Sequence, residues 1–280
     1  MRRSTRFLTI ALPVALATVP VALAGADPAS GGPEQATPSS STSAAARAAG
    51  PVSATRSSSK TRAAAAAALA KAVAKATMTP PTLIVRVKPG ATVALRSRPN
   101  GRVALRAGDT SQFGSAQRLG VVRRHGRWLG VTTPALPSGA LGWVDRRSAA
   151  VRVERTRWAI HADISSRTVV LRRAGKPVKR LRVAVGRPGS PTPTGRFAVT
   201  DKLSGGDYGP YYGCCILAIS ATQPNTPPGW TGGNRMAIHG TSDPSSIGAA
   251  ASAGCLRAAD GDLSFLMSRV PVGAPVVIRR

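Results

Sequence analysis

The chain is short of acid. Its 280 residues hold 11 Asp and Glu against 39 Lys and Arg, a formal net charge of +28. Such an excess invites a nucleic-acid reading, but no recognition module accompanies it. The charge is also spread, at +10 over residues 81–150 and +11 over residues 151–280. Attraction to anionic wall polymers or lipid head groups suits that pattern better, and no nucleic-acid partner is expected. Histidine and cysteine are scarce too, at three each. With no Cys-x-x-Cys or His-x-x-x-His spacing, neither a metal site nor a cofactor is expected. Beyond the first 24 residues no apolar run is long enough to span a bilayer.

That first run carries an address. Arg2, Arg3 and Arg6 precede an apolar stretch from Phe7 to Ala24, and Ala22-Leu23-Ala24 and Ala24-Gly25-Ala26 offer small-x-small cleavage sites. Residues 1–26 therefore read as a signal peptide or, if uncut, a membrane anchor, and the protein is expected outside the cytoplasm. Residues 27–80, rich in Ala, Ser and Pro, lack the large apolar side chains needed to fold and read as a disordered tether. An odd cysteine count in an exported chain leaves at least one thiol unpaired. Cys214 and Cys215 are adjacent, and a bridge between neighbours closes a small ring, so they are expected as buried, inert thiols. Cys255 is then the candidate free thiol.

Residues 81–150 hold five short β-type runs, around Leu83–Val87, Thr92–Leu95, Leu119–Val122, Trp128–Val131 and Gly142–Val144, separated by Pro-Gly, Asn-Gly and His-Gly turns. They suggest a small barrel. The succession Leu95-Arg96-Ser97, Phe113-Gly114-Ser115, Trp128-Leu129-Gly130-Val131 and Gly142-Trp143-Val144 resembles bacterial SH3-like domains. Residues 151–280 continue as a mainly β domain, in which only Asp260 to Arg269 reads as helix, with Leu263, Leu266 and Met267 on one face.

The chemistry concentrates near the end. Ile238-His239-Gly240-Thr241 is followed, sixteen positions after the histidine, by Cys255 within Ser252-Ala253-Gly254-Cys255-Leu256-Arg257. A free thiol is mostly protonated at neutral pH, so a nearby imidazole that takes its proton activates it. Backbone N–H groups in a small-residue loop can hold a developing oxyanion. Arg257 adds a permanent cation.

These segments, with Val185-Gly186, Pro191-Thr192-Pro193-Thr194-Gly195-Arg196-Phe197 and Ser246-Ile247-Gly248, stand in the order of the L,D-transpeptidase catalytic family, which residues 157–280 resemble. The resemblance implies an L,D-transpeptidase-type β-sandwich with one or two short helices. It also implies attack by Cys255 on peptidoglycan tetrapeptide stems, with release of D-alanine and transfer to a neighbouring stem as a three-to-three cross-link. Water as acceptor would make the enzyme an L,D-carboxypeptidase. In this reading His239 is the base, the Gly240 carbonyl orients it, and the N–H groups of Ala253, Gly254 and Cys255 form the oxyanion hole. Arg257 supports the thiolate or binds the stem, and Ser252 and Tyr211 are further substrate-binding candidates, Ser252 chiefly as a turn residue shaping the loop. Many relatives carry His or Asn where this chain has Ala253, which implies weaker binding or a different acceptor. Papain-like peptidases place cysteine before histidine, and sortases need a Thr-Leu-x-Thr-Cys strand that is lacking. A non-catalytic wall-binding protein remains the rival of a different class.

Overall fold

The computed structural model describes residues 82–280. The leader and tether expected over residues 1–80 lie outside the described residues.

Seven strands form the first sheet: β1 (Thr82–Val87), β2 (Val93–Arg96), β3 (Val103–Ala107), β4 (Arg118–His125), β5 (Trp128–Val131), β6 (Gly142–Asp145) and β7 (Val151–Thr156). Their order is β3-β2-β6-β5-β4-β1-β7, with every neighbouring pair antiparallel. Side chains that alternate inward, among them Val85, Leu95, Leu119, Leu129, Val131 and Val144, make its core.

Two of these strands were not expected here. β3 is an edge strand with most side chains exposed, so its sequence lacks the alternation that marks a half-buried strand. β7 lies within the residues expected as the second domain, 151–280. It pairs with β1 along its whole length, from Val87 opposite Val151 to Thr82 opposite Thr156. Alternation identifies a strand but not its partner, so its placement was unreadable. Only Arg157 separates it from the next strand.

The second sheet has eight strands: β8 (Trp158–Asp163), β9 (Thr168–Arg173), β10 (Lys176–Arg182), β12 (Gly195–Ser204), β13 (Cys215–Thr222), β14 (Arg235–His239), β16 (Leu256–Arg257) and β17 (Pro275–Arg279). Their order is β10-β9-β8-β17-β12-β13-β14-β16. The long strand β12 pairs with β17 through Gly195–Ala198 and with β13 through Val199–Ser204, so it carries the chain from one half of the sheet to the other. Both halves contribute to one core, with Ile160, Leu171 and Phe197 from one side and Leu217, Ile238 and Leu256 from the other. A short parallel pair, β11 (Val185–Gly186) with β15 (Ala250–Ser252), flanks it.

The helix α1 (Asp260–Arg269) buries Leu263 and Leu266 in that core, while Met267 is partly buried. Acidic residues in its first turn and Arg269 in its last suit the helix dipole. The chain is thus mainly β with one α-helix among the described residues.

The two sheets approach closely at Gly120, which leaves room for the Ala198 methyl and the Gly273 carbonyl. A side chain at Gly120 of β4 would collide with Ala198 of β12 and the Gly273 carbonyl. Beside it the Thr132 and Ser220 hydroxyls meet at 2.9 Å, buried, and the Ala198 N–H donates to Ser220 Oγ at 3.0 Å.

Candidate active site

His239 ends β14 and is fully buried. Its Nδ1 lies 2.6 Å from the Gly240 carbonyl oxygen. A carbonyl only accepts, so Nδ1 carries the proton and Nε2 keeps its lone pair. That Nε2 has no hydrogen-bond partner although it is buried. Leaving a buried acceptor unmade costs roughly 1–3 kcal/mol, which a working base justifies better than packing does. Burial pushes the imidazole down to about 4, with Arg257 adding to the effect and the Gly240 carbonyl opposing it.

The turn after His239 is held from a distance. Gly240 N–H donates to the Cys215 carbonyl at 3.0 Å. Asp260, the first residue of α1, accepts Thr241 N–H on Oδ1 at 3.2 Å and Cys214 N–H on Oδ2 at 3.1 Å. Asp260→Ala should cost about 1–2 kcal/mol in denaturant unfolding, the worth of two such bonds at a solvated position. Asp260→Asn should recover less than half, because an amide has one accepting oxygen where both are used.

Cys255 follows a loop whose shape is imposed by its neighbours. Ser252 Oγ accepts the Gly254 N–H at 3.0 Å and donates to the Cys255 carbonyl at 2.6 Å. Gly254 has φ +119, a region that side-chain-bearing residues avoid, and a side chain there would strike Gln223 Nε2. Gln223 Nε2 donates to the carbonyls of Pro191 (3.0 Å) and Ala253 (3.1 Å). Thr192 Oγ1 donates to the Gly254 carbonyl at 2.7 Å and accepts the Gly186 N–H at 2.8 Å. The Pro-Thr-Pro-Thr segment is therefore a clamp on the nucleophile loop.

One expected oxyanion donor changes. The Gly254 N–H is engaged by Ser252 Oγ, whereas those of Ala253 and Cys255 donate to no protein atom among the described residues.

Strand register brings thiol and imidazole near each other. β14 and β16 run parallel, with Ile238 opposite Leu256 and His239 opposite Arg257. Ile238 and Leu256 enter the core, so Arg257, Ala237 and His239 share the other face, and Cys255 stands just before β16, partly packed against the core edge. Cys255 thus stands one strand over and two residues along from His239, about 8 Å between Cα atoms from standard strand spacings. That span suits a side-chain-to-side-chain approach.

Cys255 is half-buried as a residue, and its thiol is unpaired. Burial pushes it up, against the Ala237 backbone and the Arg257 guanidinium, which pull it down. At rest both partners are neutral.

Arg257 is buried, hydrogen-bonded through Nη2 to the Tyr211 hydroxyl and stacked 4.6 Å from that ring. No carboxylate stands within ion-pair distance of it among the described residues, and its Nε is unpartnered. Tyr211 and Tyr212 pack on the His239 ring at 5.6 and 4.9 Å between centroids. Burial raises the Tyr212 phenol, helped by its proximity to Cys255.

A pocket open to solvent is lined by Cys255, Ala253, Tyr208, Tyr211, Tyr212 and Trp230 among others. The expected His239, Gly240, Arg257 and Tyr211 therefore form one cluster, and Cys255 and Ala253 open onto the pocket next to it. Thr192 lay inside a recognised motif, but Gln223 and Asp260 had no local signal. Their partners are 30 and 46 residues away.

The expectation for Cys214 and Cys215 is overturned: they are joined to each other. Both sulfurs face Ser264 Oγ of α1, at 3.4 and 3.6 Å, and bridged sulfurs carry no hydrogen, so that hydroxyl is the donor. Adjacency did not exclude the bridge, because the chain here leaves a turn to start β13, with Cys214 N–H held by Asp260.

Residues 157–278 match the family model of the L,D-transpeptidase catalytic domain, YkuD. The YkuD protein of Bacillus subtilis (strain 168) is 33% identical over 123 residues, which are 43% of this chain and 65% of that protein. YqjB of the same organism is 34% identical over 105 residues, 34% of this chain and 56% of the relative. The chain thus spans less than two thirds of the length of these relatives. Among solved structures, an L,D-transpeptidase from Mycobacterium smegmatis aligns with TM-score 0.38 and 18% identity, covering 72% of this chain and all of that one.

Proposed function

We propose that this chain, whose residues 157–278 are an L,D-transpeptidase catalytic domain, is an exported cysteine acyltransferase that joins peptidoglycan stems through three-to-three cross-links. One observation carries the reading: a buried imidazole, fixed as the Nδ1–H tautomer with a bare Nε2, one strand over from the chain's free thiol.

The Cys255 sulfur attacks the carbonyl between the L-centre of the third residue and the terminal D-alanine, and His239 Nε2 takes the thiol proton. The tetrahedral oxyanion sits against the N–H groups of Cys255 and Ala253, each such donor worth about 3 kcal/mol. His239 returns the proton to the departing D-alanine nitrogen as the C–N bond breaks, leaving a thioester. An amine of a second stem then attacks, loses its proton to His239, and frees the thiol as the new amide forms. The charged intermediate pair is net neutral, which suits a site that disfavours either ion alone.

Arg257 offers a buried cation to a carboxylate of the stem, held in place by Tyr211. Ser252 shapes the nucleophile loop and does not touch the substrate. The seven-stranded sheet corresponds to the SH3-like module of wall enzymes, and the basic surface favours anionic wall polymers.

Incubating the full-length protein with a defined disaccharide tetrapeptide should release D-alanine and yield a cross-linked dimer by mass spectrometry. Release without dimer would make the protein a carboxypeptidase. Binding without release would leave a wall-binding module.

A further inference from the structure

We propose that the first sheet supplies part of the substrate site, with Phe113 a substrate-positioning residue from outside the catalytic domain. The proposal rests on the reading above and adds a residue to it.

Aromatic side chains are rare in this chain, at four Phe, four Trp and three Tyr. Five of those eleven line the pocket that opens on Cys255: Phe113, Tyr208, Tyr211, Tyr212 and Trp230. Four come from the catalytic domain. Phe113 comes from the loop between β3 and β4. It is only half-buried and belongs to the core of neither sheet. Its ring stands edge-on to Tyr208 at 6.1 Å, and the Arg235 guanidinium lies 5.2 Å over it. A phenylalanine kept for packing would be enclosed by its own domain.

The loop is built to hold that ring still. Ser111 Oγ accepts the N–H groups of Phe113 (3.3 Å) and Ser115 (3.0 Å), and its own proton goes to Asp201 Oδ1 across the junction. Ser111 N–H donates to the Ser115 carbonyl at 2.8 Å, and Thr110 bridges to Ala116. Gln112 Oε1 accepts from Arg235 Nη1 at 2.9 Å.

Asp201 is fully buried in β12, with Arg235 Nη2 3.9 Å from its Oδ2. Its Oδ2 has no hydrogen bond, so the Ser111 hydroxyl on Oδ1 is the side-chain donor this buried carboxylate depends on, and losing it would leave both oxygens unmade. The catalytic domain thus needs Ser111 from the first sheet, and seating Ser111 brings Phe113 to the pocket wall. A fixed aromatic wall presents a flat apolar face to the bound muropeptide before and during reaction alike. Such an interaction governs KM more than kcat.

In the full-length protein, Phe113→Ala should raise KM for a soluble disaccharide tetrapeptide about tenfold with kcat within about twofold, and Phe113→Leu should restore most of the affinity. The rate at which iodoacetamide alkylates Cys255 should match wild type, because that small reagent needs no wall. An unchanged KM overturns the proposal, as does a joint fall in kcat and alkylation rate, which would show a structural role. If the wild-type protein releases no D-alanine, the acyltransfer reading fails on its own. Muropeptide binding to the Cys255→Ala protein then decides: Phe113→Ala in that background should weaken Kd about tenfold, and an unchanged Kd overturns the proposal.

Discussion

Cys255→Ala should abolish turnover, by about 10⁴-fold or more, because Cys255 is the one thiol that lines the pocket among the described residues, and the Tyr and Thr hydroxyls beside it are far harder to ionise. The other two cysteines are bonded to each other and offer no thiol. Intact-mass analysis gives the sharper reading. A carbapenem-type β-lactam should leave one adduct on the wild-type protein and none on Cys255→Ala. Cys255→Ser should fare nearly as badly, since a hydroxyl is far harder to ionise than a thiol already pushed up by burial. An adduct persisting in Cys255→Ala would place the nucleophile elsewhere.

His239→Gln should lower the rate of acylation by about 10²–10⁴-fold, the usual worth of a positioned base. The amide can imitate the Nδ1–H donation to Gly240 but offers no basic nitrogen at Nε2. The same ring sets an acid limit on stability. Its ordinary value of 6.5 falls to about 4 in the fold. Between these values the unfolded chain takes a proton that the folded protein refuses, so stability drops as pH falls from about 6.5 and levels off below about 4. A difference of that size is worth about 3 kcal/mol. Denaturant unfolding at pH 7 and pH 4.5 should therefore diverge for wild type, and that part of the divergence should vanish in His239→Gln. Equal losses in both proteins would assign the acid sensitivity to other groups.

The neutral resting pair also shapes the chemistry. Papain-type enzymes keep a very low thiol pKa beside histidine, whereas here burial opposes charge on both partners. In the proposed mechanism, ionisation therefore accompanies attack, as one proton moves and the developing oxyanion meets the Ala253 and Cys255 N–H groups.

Much of this site was legible because its chemistry is local. His239-Gly240 carries an imidazole together with the carbonyl that orients it, and Ser252 to Arg257 carries the free thiol with the glycine its backbone demands. Strand register supplied what spacing could not, by setting Cys255 one strand over from His239. What escaped was long-range. Asp260 and Gln223 act across many residues on backbone groups, and backbone recognition leaves no side-chain pattern to find. The engagement of Gly254 N–H by Ser252 reversed one detail of the expected oxyanion hole. β7 was a clear strand without a visible partner, and its pairing with β1 could not be read from alternation. The Cys214–Cys215 bond was misjudged because ring size alone was weighed, without the turn and the Ser264 hydroxyl that accommodate it.

The junction around Gly120 and Asp201 bears on how such a protein can be rearranged. Grafting the second sheet onto another carrier would strand the Asp201 carboxylate without its serine and leave the bare ridge at Ala198 facing a surface that fits no glycine. Lineages that exchange the front module should have to carry the loop hydroxyl and the bare backbone of β4 along with it.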